Sequence, residues 1–141
     1  MPKRANRQSL VVYAKNKRRV SAFYQRTLDL DVVEERSTHD VLRGRGIELV
    51  VHAIPRRFAA QIALTRPPLI REDTPLKPIF AVKSLEAVRI AAEAAGGALR
   101  PMEAAWHDDG ATVLDGHDPE GNVVQFREYG VRPRAQPNPR G

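Results

Sequence analysis

Residues 9–33, SLVVYAKNKRRVSAFYQRTLDLDVV, and residues 77–101, KPIFAVKSLEAVRIAAEAAGGALRP, follow one plan at an offset of 68 positions. In each, an apolar extended run gives way, after a short polar break, to a segment with helical periodicity. Val20, Phe23, Tyr24 and Leu28 fall at i, i+3, i+4 and i+8, one face of a helix. Leu85, Val88, Ala91, Ala92 and Ala95 do the same in the second copy. Asn16 and Ser84 stand where N-caps belong, and Gly96 and Gly97 supply a helix stop. A repeat of this length means that one supersecondary unit is used twice.

Short strand candidates follow each helix. They are 30–35, 39–43 and 47–53 in the first copy, and 98–101, 112–114 and 122–129 in the second. The chain is therefore expected to be α+β, two tandem βαβββ modules within one domain over residues 8–129. Module one covers 8–54, a Pro/Arg-rich connector 55–76, and module two 77–129. Within the connector AAQIALT (59–65) has the composition of a short extra strand. Residues 130–141 form a basic, Pro-rich tail.

With 141 residues, 42% of them hydrophobic, the chain suffices for one compact domain. It has no cysteine, which excludes disulfides, thiolate metal sites and thiol nucleophiles. No apolar run approaches the ~20 residues needed to span a bilayer, and none of signal-peptide length follows MPKRANRQ. A cytoplasmic protein with no membrane association is expected. The net charge of +6 raises the question of nucleic acid. Much of the excess lies at the ends, in Lys3, Arg4, Arg7, Arg132, Arg134 and Arg140. Aromatics are only 6% and no basic-aromatic stripe occurs, which argues against a nucleic-acid partner. The charge suits steering of a small anion. GxSxG, P-loop and GxGxxG fingerprints are absent.

The segment SAFYQRTLDLDVVEE (21–35), the turn DPEGN (118–122) and the repeat together resemble the vicinal oxygen chelate superfamily, which includes glyoxalases, bleomycin-resistance proteins and extradiol dioxygenases. The resemblance spans about residues 8–129; Asp29 replaces the usual glycine after the helix. It implies two βαβββ modules whose mixed sheets form a cup, with the helices on the outer face. In metal-dependent members a His on the first strand and a Glu on the last strand of each module hold a divalent ion. The two His positions correspond here to Ser9 and Lys77, the second Glu position to Gln125, and Glu48 lies near the first Glu position. A hydroxyl, an ammonium and a neutral amide make a poor donor set for Zn²⁺ or Fe²⁺, so no metal and no other cofactor is expected.

Strand alternation gives the facing of these residues without the family. In 122–129 the apolar pair Val124 and Phe126 faces the helices, which turns Gln125 to the cup. Leu10, Val12 and Ala14 face inward to the core, leaving Ser9, Val11 and Tyr13 in the cup. Ile47, Leu49 and Val51 leave Glu48, Val50 and His52 there; Phe80 and Val82 leave Lys77, Ile79 and Ala81. The ligand-binding candidates are thus Ser9, Tyr13, Glu48, His52, Lys77, Trp106 and Gln125, with Glu48 expected to pair with Lys77.

Ordinary readings stand beside these. Glu48 and His52 also suit a solvated sheet face, Tyr13 suits core packing, and Trp106 suits a core or interface. His107, His117 and Asp118 show no recognised ligand spacing; Asp108, Asp109 and Gly110 have the chemistry of a turn. Two functions remain. The first is a metal-free protein that binds a small molecule, anionic in one form of the reading, as a homodimer. The second is a lyase or dioxygenase with an atypical or metal-free acid/base site around the catalytic candidates Glu48 and His52.

Overall fold

The computed structural model describes residues 7–130. The tail beyond Gly130, and Lys3 and Arg4, lie outside the described residues. Module one comprises β1 (Gln8–Ala14), α1 (Lys17–Leu28), β2 (Asp31–Glu35), β3 (His39–Gly44) and β4 (Ile47–Ala53). The connector carries the short helix α2 (Arg56–Ala59). Module two comprises β5 (Ile79–Val82), α3 (Leu85–Ala94), β6 (Ala98–Leu99), β7 (Trp106–Asp108), β8 (Ala111–His117) and β9 (Val123–Tyr129).

The two sheets share one topology. Their orders are β1-β4-β3-β2 and β5-β9-β8-β6, with β7 added against β8. The first and last strands of each module lie parallel and side by side, and the remaining pairs are antiparallel. This is the α+β arrangement that the repeat implies.

Each helix covers one face of its own sheet, and α1 and α3 pack against one another. One continuous core results. Phe23, Tyr24 and Leu28 of α1 and Leu85, Val88 and Ala92 of α3 meet Leu49, Val51, Phe80, Leu114, Val124 and Phe126 from the sheets. The opposite sheet faces are left free of helix and carry the cup-facing residues. Both helices begin as expected: Asn16 accepts from the Arg19 N–H at 3.2 Å, and Ser84 from the Ala87 N–H at 3.1 Å. Asp29 ends α1 in the left-handed region (φ 53°), which aspartate tolerates better than most side chains.

The HDPEGN turn joins the modules. Asp118 is fully buried and accepts from the Tyr24 hydroxyl (2.8 Å), the backbone N–H groups of Glu120 and Asn122, and the Asn122 amide. Glu120 accepts from the N–H groups of Lys15 (2.8 Å) and Asn16 (2.7 Å), satisfying donors at the entry to α1. Gly121 has φ 84°, and a β-carbon there would collide with the Leu69 carbonyl oxygen, so the connector lies directly on this turn.

Four expectations change, the first being that the strand expected over 98–101 spans only Ala98–Leu99, because Pro101 opens a short helical turn at Met102–Ala104. Residues 59–65 form no strand; the chain enters α2 at Pro55, whose carbonyl accepts from the Phe58 and Ala59 N–H groups, and leaves it in a turn. Residues 106–108 are a strand, because Asp109 and Gly110 (φ 45° and 76°) make a two-residue hairpin turn that returns β7 onto β8. Only Asp109 and Gly110 of the three expected turn residues occupy the turn. β8 is longer than 112–114 and reaches His117.

Candidate functional site

The cup-facing residues form two groups, one per sheet. On module one, Ser9 is in register with Glu48 and Tyr13 with His52. Leu10, Val12 and Ala14 are turned into the protein while Tyr13 is 64% exposed, so the alternation holds. His39, opposite His52 on β3, stacks on it with ring centres 5.9 Å apart and planes 13° apart. Tyr13 leans on the other side of His52 at 5.7 Å. His52 Nδ1 lies 2.8 Å from the Ala53 carbonyl; a carbonyl only accepts, so Nδ1 donates and Nε2 is left as the acceptor nitrogen. Glu48 does not meet Lys77. Its Oε2 accepts from Arg43 Nε at 3.0 Å, within the same sheet.

On module two a continuous charged ladder crosses the sheet. The Lys77 ammonium lies 2.9 Å from Asp115 Oδ2. The other oxygen of Asp115 accepts from Gln125 Nε2 at 3.1 Å. Gln125 Oε1 accepts from Arg127 Nε at 3.0 Å, and Arg127 Nη1 reaches Asp108 Oδ2 at 3.2 Å. Gln125 is only 6% exposed, with both ends of its amide used. Trp106 is opposite Val113, which is opposite Arg127, so the indole shares this face and is partly exposed. Lys77 pairs with Asp115 because β8 and β9 set Asp115 beside Gln125, whereas Glu48 belongs to the other sheet. Among the described residues no hydrogen bond or ion pair joins the module-one group (Ser9, Tyr13, Glu48, His52) to the module-two group (Lys77, Trp106, Gln125).

The residues at the four expected metal positions do not fit a divalent ion. Lys77 offers a cation, and the Gln125 carbonyl oxygen is directed at the Arg127 guanidinium. An ion there would meet the Lys77 ammonium and the Arg127 guanidinium, and Asp115, the carboxylate beside them, is already engaged by Lys77 and Gln125. Among the described residues no three His, Asp or Glu side chains converge to hold one elsewhere.

Sequence reasoning missed Asp115, Arg127, Arg43 and His39. Asp115 was legible in principle: extending period-two alternation along TVLDGH puts it on the face of Val113, opposite Gln125. The same alternation sets Arg127 on the face of Gln125, but it does not specify the hydrogen bond between them.

A cavity of about 190 Å³ opens beside this ladder, between Lys77, Asp115 and His117 on one side and connector residues Ile70, Glu72 and Thr74 on the other. Arg100 also lines it. Its backbone N–H donates to the Asp115 carbonyl, and among the described residues its guanidinium has no acidic partner.

No family model matches the sequence, and no curated protein matches it. Solved structures do match in fold. A glyoxalase/bleomycin resistance protein/dioxygenase family enzyme from Burkholderia phytofirmans PsJN superposes with TM-score 0.61 at 21% identity, over 86% of this chain and 97% of that one. The bleomycin resistance determinant encoded on transposon Tn5 gives 0.58 at 13% identity, over 90% and 100%. A glyoxalase-related enzyme from Fulvimarina pelagi gives 0.59 at 18% identity, over 92% and 91%. The chain therefore has the fold of these glyoxalase/bleomycin resistance/dioxygenase structures. No helix among the described residues is long and apolar enough to cross a membrane.

Proposed function

We propose that this chain is a metal-free cytoplasmic protein that binds a small anionic molecule in a cup completed by a second copy of itself. The Lys77–Asp115–Gln125–Arg127 ladder carries the reading. It sets two cations, Lys77 and Arg127, on this face, each paired with a carboxylate, Asp115 or Asp108, for which the anionic group of a ligand can exchange without an ion. Lys77 and Arg127 would meet the charge, while Asp115 and Gln125 orient them.

Dimerisation follows from what the single chain leaves open. β1 and β5 each have one unpaired edge, and Val11, Tyr13, Ile79 and Tyr129 are about half exposed or more on the helix-free faces. A second copy that set its module-one face over the module-two ladder would cover these residues and bring Tyr13, Glu48 and His52 to the anion. The low aromatic content disfavours a large planar ligand.

A second reading, metal-free acid/base catalysis, draws on His52, which lies beside the Tyr13 ring and whose Nε2 has no hydrogen-bond partner among the described residues. Glu48 is already engaged by Arg43 and is the weaker candidate for that role.

The test is light scattering on the purified protein together with mass spectrometry of small molecules it retains, repeated for Lys77→Met. A particle of two chain masses with an anionic ligand lost from the variant supports the proposal. A monomer at all concentrations, or a ligand retained equally by the variant, contradicts it.

A further inference from the structure

A cavity of about 180 Å³ opens on the helix side of the sheets, where the end of α1, the β3–β4 turn and the entry to α3 meet. The buried side chains of Leu28, Val82 and Val88 line it from within. Its charged lining is Arg26, Arg45 and Lys83 against one acid, Asp29. All four are exposed, and among the described residues none of them belongs to an ion pair.

Arg45 does not suit its place in the backbone. With Gly46 it makes the two-residue turn that returns β3 onto β4, and both residues have positive φ (47° and 78°). Asparagine or aspartate before glycine is the usual choice in such a turn, because a short polar side chain tolerates the left-handed region. The arginine stands against that local preference. What it adds is a cation at the junction of the modules, where it lines this cavity with Lys83 and the neighbouring one with Phe80 and Tyr129.

We propose that Arg26, Arg45 and Lys83 form a binding site for a phosphoryl dianion, separate from the cup and independent of what the cup holds. Three cations against one acid leave an excess of two positive charges. A phosphoryl group carries close to two negative charges at neutral pH and offers three acceptor oxygens. The three cations come from three segments of chain, which suits a tetrahedral group better than a planar one. The cavity is smaller than the roughly 300–1,000 Å³ of sites for drug-sized molecules, as fits a single ionic group. The Leu85 and Ala87 N–H groups of α3 are already taken by Glu128 and Ser84, so the charge of the site comes from its side chains.

Methyl phosphate is the probe, titrated at pH 8 and constant ionic strength into the isotope-labelled full chain and followed by NMR, with acetate as the monoanion control. Saturable shifts of the Arg45, Gly46 and Lys83 amide signals are expected, with methyl phosphate bound about tenfold or more tightly than acetate. Inorganic phosphate is titrated beside it; equal affinity assigns the site to the free ion and tighter methyl phosphate to an ester, and both support it. Arg45→Asn is expected to weaken methyl phosphate by about tenfold while Tm holds or rises, since asparagine fits the turn and removes only the cation. Asp29→Asn keeps a residue that tolerates the left-handed region and should tighten binding. Arg18→Gln, an equal loss of charge on an exposed position of α1 outside this cavity, should leave binding unchanged. An equal response to both anions, shifts confined to the cup, or equal losses in Arg45→Asn and Arg18→Gln overturn the site. So does a lower Tm of Arg45→Asn with binding intact, because the arginine then serves the turn.

Discussion

Lys77 and Asp115 stand 2.9 Å apart on the free face of the second sheet, and Asp115 hands the contact on to Gln125 at 3.1 Å. A cation, a carboxylate and an amide are thereby held together on this face.

Lys77→Met is expected to change stability little. The side chain is 43% exposed, and an ion pair so open to solvent contributes about 0–1 kcal/mol. Its effect belongs to ligand binding instead. Denaturant melts of the variant should overlay those of the parent within that margin while anion affinity falls.

Gln125→Glu sets two carboxylates side by side, because the Gln125 Nε2 that donates to Asp115 would become an oxygen. Like charges at this separation raise the pKa of one of the pair in the folded state. The folded protein then binds a proton more readily than the unfolded chain, so stability is lost as pH rises through that raised pKa and returns below it. Urea melts at pH 5 and pH 8 should show the variant destabilised by about 1–3 kcal/mol at the higher pH and by less at the lower. An equal deficit at both values would refute the pairing.

Tyr24 and Asp118 provide a second pH signature. Burial, then the Asp118 charge and hydrogen bond, hold the Tyr24 phenol well above its usual pKa of about 10. The folded state keeps the proton longer than the unfolded chain. Its contribution is therefore full below the unfolded value of about 10 and is lost as pH rises from there towards the folded pKa. Tyr24→Phe should lower stability at neutral pH by about 1–2 kcal/mol and flatten the alkaline loss. Melts at pH 8 and above pH 10 for both proteins check this.

Asp29 occupies a left-handed position that glycine takes without steric penalty, and its negative charge lies at a helix C-terminus where it is disfavoured. Asp29→Gly is expected to stabilise the protein by about 1 kcal/mol, read as a Tm rise of about 3 °C. A lower Tm would mean that the aspartate makes an interaction that compensates for its backbone.

The fold was largely legible because two independent periods, 3.6 in the helices and two in the strands, recur in the same order at one offset. Facing was legible for the same reason: Gln125 lies between Val124 and Phe126, and only one orientation buries both. Partners were not. Lys77 and Glu48 share the cup face and carry the opposite charges that an enclosed ammonium needs, but in-plane neighbours depend on register, which brings Asp115 to Gln125 and keeps Glu48 with Arg43. The site was also hidden by strand length. Ending β8 at Leu114 removed Asp115 from the face on which it completes the ladder. Giving Asp108 to the turn with Asp109 and Gly110 hides β7, which carries Asp108 to Arg127. The HDPEGN turn was recognised as a turn, yet its tie to the start of α1 links residues 105 positions apart, and no local pattern announces that.

The claim that charge replaces metal is tested most directly by metal retention. The purified protein is incubated with Zn²⁺, Ni²⁺, Mn²⁺ or Fe²⁺, desalted, and assayed for metal per chain beside Lys77→His/Gln125→Glu. The account predicts no stoichiometric ion on the parent protein with any of the four. One ion retained per chain by the parent, and lost on Gln125→Ala, would contradict it.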